Sequence, residues 1–114
     1  MFVNFTNHPS TYWEETQLSH ARAYGEIVDV PFPSVDPEGD EDYIAALAED
    51  SVARIMKHQP KAVLCQGEFC LAYQVIEKLK ASQVTVLAAC SQRCVKEAGN
   101  RKEVFFCFVR FRKY

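Results

Sequence analysis

An α/β fold, a Rossmann-like three-layer sandwich built on a mostly parallel sheet, is predicted by three observations. Short apolar runs of β-forming residues alternate with segments of helical periodicity along the whole chain. Two of those runs, Ala62-Val63-Leu64-Cys65 and Val84 to Ala89, are continuously apolar, as strands buried on both faces must be. Compact polar groups follow three of the strands, at Asn7-His8-Pro9-Ser10, Gln66-Gly67-Glu68 and Ser91-Gln92-Arg93. If the strands run parallel, all three groups meet at one end of the sheet, where open α/β folds bind ligands.

Met1 to Thr6 reads as the first strand, with Phe2, Val3 and Phe5 as its apolar residues. Pro9 disfavours helical geometry at His8, and Ser10 or Thr11 can cap a helix beginning there. Glu14, three residues after Thr11, completes a capping-box pattern, so a helix is predicted from about Thr11 to Tyr24. Trp13, Gln17, Ala21 and Tyr24 recur at helical spacing, and Gly25 can end the helix in a left-handed conformation. Glu26 to Val30 forms the next strand, closed by Pro31 and Pro33.

Ser34 to Asp42 is acidic and turn-rich, which suits a solvated loop leading into a helix N-terminus better than a metal-binding loop. The helix from about Glu41 to His58 carries Ile44, Leu47, Ala48, Val52, Ile55 and Met56 along one apolar face. Lys61 to Cys65 is a central strand. Gly67 then permits a tight turn into a helix from about Glu68 to Ala81, with Ala72, Val75, Ile76 and Leu79 facing the core. Val84 to Ala89 is another buried strand, Ser91 to Glu103 a brief helix with a turn at Gly99-Asn100, and Val104 to Phe111 a last strand rich in phenylalanine and valine. The expected strand order is 2-1-3-4-5 with right-handed crossovers. The last connection is too short for a helical crossover, so the final strand lies antiparallel at the edge.

The 114 residues fit one domain, 1–114, and the 48% apolar and 25% charged composition is that of an ordinary globular protein. A formal charge of −2 gives no drive toward duplex nucleic acid, although Arg101, Lys102, Arg110, Arg112 and Lys113 make the C-terminal end basic. No apolar run approaches a bilayer's span and no signal core opens the chain, so no membrane partner and a cytoplasmic location are expected. Five cysteines without a secretion signal argue against a disulfide framework. Cys65 and Cys107 fall in apolar strand patterns and read as buried, whereas Cys70, Cys90 and Cys94 fall near the polar groups without metal or redox spacing.

On this topology the switch point lies between strands one and three, bringing Asn7, His8 and Ser10 beside Gln66, Gly67 and Glu68, with Ser91, Gln92 and Arg93 on the neighbouring strand. His8 suits phosphate binding or proton transfer, or simply a turn. Glu68 suits proton transfer, or a helix N-terminus. Arg93 has the donor fork for a phosphate or carboxylate, and can instead pair with Glu68. The remaining polar residues can bind a ligand or cap their own loops. The chain has no P-loop, dinucleotide fingerprint, nucleophile elbow or HExxH helix, so no cofactor and no metal are expected.

Asn4-Phe5-Thr6-Asn7-His8-Pro9-Ser10, Pro31-Phe32-Pro33, Gln66-Gly67-Glu68 and Phe108-Val109-Arg110-Phe111-Arg112 resemble a family of small, largely uncharacterised prokaryotic Rossmann-like proteins. In size and topology the chain is also similar to CRISPR-associated Rossmann-fold sensors and small ring nucleases. That similarity implies a cyclic oligoadenylate ligand held across a homodimer, in antiviral signalling. The expectation is a nucleotide or cyclic oligonucleotide ligand, with metal-free phosphodiester cleavage through His8 and Glu68 and charge stabilisation by Arg93. The alternative is a non-enzymatic interaction or scaffold module. A homodimer is expected because the apolar edge strand Val104 to Phe111 would otherwise invite uncontrolled pairing.

Overall fold

The computed structural model describes residues 1–114. Five strands form one sheet in the order β2-β1-β3-β4-β5, with β1 Phe2–Phe5, β2 Ile27–Asp29, β3 Ala62–Cys65, β4 Thr85–Ala98 and β5 Arg101–Lys113. The first four are parallel, and β5 runs antiparallel to β4 at the edge, as expected.

Alternation along β1 divides the core. Val3 and Phe5 face α2 (Glu41–Met56) and α3 (Phe69–Ala81), packing with Ala48, Ile55, Leu71, Val75 and Leu79. Phe2 faces the short α1 (Glu15–Arg22), packing with Ala21, Leu64, Leu87 and Phe111. Each fully buried side chain of this size contributes about 1.5–3 kcal/mol relative to exposure. Asp40 caps α2 by accepting from the Tyr43 amide at 2.9 Å, so the acidic stretch does serve as a helix start.

Two segments differ from expectation. The predicted helix Thr11–Tyr24 begins as a 3-10 turn, Ser10–Tyr12, and α1 starts only at Glu15, without the Thr11–Glu14 capping box. Tertiary contacts override the local signal: Ser10 donates to the Asp29 carboxylate, and Trp13 turns inward to meet Phe2 edge-on at 6.2 Å.

The larger correction concerns Ser91–Glu103, which holds no helix. β4 and β5 continue together as a two-stranded arm to the Gly99-Asn100 turn, so Ser91, Gln92 and Arg93 lie within a strand and not at a strand-to-helix junction. Gly99, at φ +66, supplies the positive φ that a two-residue hairpin loop needs at its first position. A bulge between Cys90 and Ser91 leaves Val109 without a partner, because Cys90 faces Arg110 while Ser91 faces Phe108. That extra residue re-phases β5, so Phe108 joins Phe111 on the α1 side, with ring centroids 4.8 Å apart. The arm gives the molecule extents of 52 × 36 × 22 Å and a radius of gyration of 15.7 Å, against about 13 Å for a compact chain of this length.

Candidate functional site

β1 ends in a hydrogen-bonded knot that shapes the loop after it. Asn4, 1% exposed, occupies an inward position on the α1 side of the sheet, where an apolar residue would be ordinary. Its Nδ2 donates to the His8 carbonyl at 2.8 Å and to Asp29 at 3.0 Å, and its Oδ1 accepts from the Thr6 hydroxyl at 2.7 Å. The His8 amide donates to Thr6 Oγ1, and Trp13 Nε1 donates to the same His8 carbonyl at 3.1 Å. The backbone of His8 is therefore held from several sides, while its exposed imidazole makes no hydrogen bond within the chain.

A cleft of about 580 Å³ opens beside this loop at the carboxyl ends of β1 and β3, the topological switch point. Asn7 and His8 line it from β1, Gln66 and Gly67 from β3, and Ser91 from β4. Its walls include aromatic residues from two segments: Tyr12 and Trp13 before α1, and Phe106 and Phe108 on the arm. Gln66 Oε1 also accepts from the Ala89 amide at 2.9 Å, tying β3 to β4 where their ladder ends. Gly67 leaves room for Phe32, since a Cβ there would come within 2.5 Å of that buried ring.

Four expected residues stand apart from the lining. Ser10 is bound to Asp29. Glu68 caps α3, its two carboxylate oxygens accepting from the Cys70 amide at 2.9 Å and the Leu71 amide at 2.8 Å. These bonds, Leu71 first and then Cys70, hold its carboxyl below the ordinary value. Gln92 and Arg93 lie on the exposed arm, Gln92 opposite Cys107 and Arg93 opposite Phe106. Arg93 thus shares the face of Ser91, Phe106 and Phe108, on the rung of the cleft residue Phe106 but outside the lining itself, and forms no ion pair with Glu68.

The cysteines separate by environment. Cys65 is buried in β3, and burial pushes its thiol up to about 12, the behaviour of a core hydrophobe. Cys70 sits at the start of α3, where a helix dipole would lower a thiol pKa, but a hydrogen bond to Glu68 and that carboxylate's charge raise it. Cys107, expected in the core, is half-buried on the arm, because the bulge and hairpin carry this part of β5 beyond the body.

Asn4, Thr6, Asp29 and Trp13 do not stand out as site residues in the sequence. A buried-strand pattern interrupted by Asn4 and Thr6 is the signal that points to them. Charge is also unevenly distributed. Residues 90–113 carry seven Lys and Arg against two Glu, a net +5, leaving −7 on the rest of the chain.

The chain belongs to the family described as Uncharacterized protein MJ1673 family, whose model matches residues 1–112. No curated protein and no solved structure matches it.

Proposed function

We propose that this protein binds a nucleotide or short oligonucleotide, cyclic oligonucleotides included, in the cleft between the His8 loop and the β4–β5 arm. The observation that carries this reading is the combination in one lining of aromatic residues, Tyr12, Trp13, Phe106 and Phe108, with polar groups at Asn7, His8, Gln66 and Ser91. Aromatic faces stack on bases, contributing about 1–3 kcal/mol per base. The volume, about 580 Å³, is in the range of small-molecule sites. Arg93 and Lys102, on the cleft face of the arm, supply positive charge for phosphates leaving the cleft.

Phosphodiester cleavage at this site would use His8 for proton transfer, since its imidazole is free and its backbone is held by Asn4 and Trp13. Arg93 would stabilise developing negative charge. Glu68 would need to leave its cap on α3 to share in that chemistry. Two copies meeting through their arms would deepen the cleft, and a homodimer in antiviral signalling is the biological setting we assign to it.

Trp13 is the only tryptophan and lines the cleft, so its fluorescence reports occupancy. Titration with AMP, ATP and cyclic oligoadenylates is expected to quench it and to give matching calorimetric isotherms. Phe106→Ala is expected to weaken binding by roughly 5-fold to 100-fold. If any of these ligands is cleaved, His8→Ala is expected to lower turnover by roughly 100-fold to 10,000-fold at saturating ligand. Absence of binding to all of them rejects the reading in favour of a protein-interaction module, for which the exposed Val95, Val104 and Phe106 provide a surface.

A further inference from the structure

We infer that Cys94 and Cys107 are a redox modification site, a cross-strand dithiol that closes to a disulfide by exchange with a low-molecular-weight disulfide. The register sets Gln92 opposite Cys107 and Cys94 opposite Phe105. All four residues share the face of the arm turned away from the cleft, and the two cysteines stand diagonally on adjacent rungs of that face. Both thiols are half-buried, within reach of a small reagent. The neighbouring Cys94 thiol is the largest influence on the Cys107 thiol, followed by desolvation, and together with nearby charge they push it up to about 11.

The other cysteines are less suited. Cys65 is buried, and Cys70 lies at the start of α3 against Glu68. Cys90 occupies the opposite diagonal from Cys107, but the unpaired Val109 interrupts the ladder on that side. Cys90 and Cys94 are four residues apart along one strand, about 13 Å.

The exchange is balanced in two steps. The Cys94 thiolate attacks one sulfur of the small disulfide, forming a mixed disulfide and expelling one thiolate. Cys107 then loses its proton and attacks the Cys94 sulfur, expelling the second thiolate. The two protons of the dithiol end on the two released thiols, and the two electrons pass to the small disulfide.

Diagonal neighbours in a ladder have Cα atoms about 7–8 Å apart, whereas a relaxed disulfide spans about 4.4–6.8 Å. The arm must tighten to form this bond, which makes the bond strained and readily reversed. Cys107 lies between Phe106 and Phe108, so the same contraction shifts two walls of the cleft. That consequence rests on the proposed ligand site, whereas the crosslink does not.

The reduced full-length chain, incubated with glutathione disulfide, acid-quenched and alkylated, is expected to lose two hydrogens and yield a Cys94–Cys107 linked peptide, with Cys65, Cys70 and Cys90 alkylated. Cys107→Ser is expected to stop at a glutathione adduct on Cys94. No reaction, a stable adduct on Cys94 in the unaltered chain, a bridge through Cys70 or Cys90, or a bridge between chains would each overturn the assignment. AMP affinity of the crosslinked chain, read from Trp13, is expected to change at least 5-fold. An unchanged affinity rejects the coupling to the cleft. If the reduced chain fails to bind AMP, the ligand reading fails while the crosslink stands.

Discussion

At the scale of single residues, Glu68 and His8 show how two side chains at neighbouring turns take different parts. Glu68 commits both carboxylate oxygens to the first amides of α3, so its charge stabilises the fold wherever the ligand sits. Glu68→Ala is therefore expected to cost about 0.5–1 kcal/mol of stability at neutral pH, near the lower end for a lost cap. The pH dependence is set by the lowered pKa. The folded state favours the ionised form, so the stabilisation is complete above the unfolded value and is lost as pH falls through the folded one. Urea melts of wild type and Glu68→Ala should accordingly differ at pH 7 and converge in acid. A constant difference down to pH 2 would show that the cap acts without its charge. His8 has the opposite arrangement, its backbone engaged and its ring free. No local pattern around His8 signals this, because the groups that hold its carbonyl, Asn4 and Trp13, meet there only in the folded chain.

The elements differ in how far local sequence determines them. The four parallel strands and the two long helices were legible because each combines a strong apolar pattern with a nearby stop or cap: Gly67 and Glu68 before α3, Asp40 before α2, prolines after β2. The arm was not. Val95-Lys96-Glu97-Ala98 is composed largely of helix formers, and only pairing with the Phe-rich β5 across the Gly99-Asn100 turn makes it a strand. The same pairing puts Ser91, Gln92 and Arg93 on a ribbon in place of a helix start, although Ser91 still reaches the cleft. A two-stranded ribbon is marginal alone, so the body is expected to fold without it. Replacing Gln92–Cys107 by a two-residue turn should preserve a cooperative melt and helical circular dichroism. It should also weaken nucleotide binding at least 10-fold by removing Phe106. Retained affinity would place the ligand on the body alone.

For the whole molecule the governing facts are shape and charge. The arm extends past the sheet with Phe106 70% exposed and Val95 and Val104 about half exposed on the face that also looks onto the cleft. Covering such side chains contributes about 1–2 kcal/mol each at partial exposure. The net +5 of residues 90–113, the arm together with the end of β5 that joins it to the sheet, complements the −7 of the rest of the chain, which a second copy also carries. A two-fold pair in which each arm crosses the other's body satisfies both the apolar and the charged surface, and it leaves the Cys94–Cys107 face outward. Light scattering is expected to give a dimer at tens of micromolar, on the order of ordinary assay concentrations. Because charged surfaces separated by more than about 10 Å are screened at 0.1 M salt, association should weaken between low salt and 0.5 M salt, against the trend for purely apolar contacts. Val95→Glu with Phe106→Glu should give a folded monomer under both conditions. A wild-type monomer at low salt would reject the pairing, and a dimer indifferent to salt and to both substitutions would move the interface away from the arm.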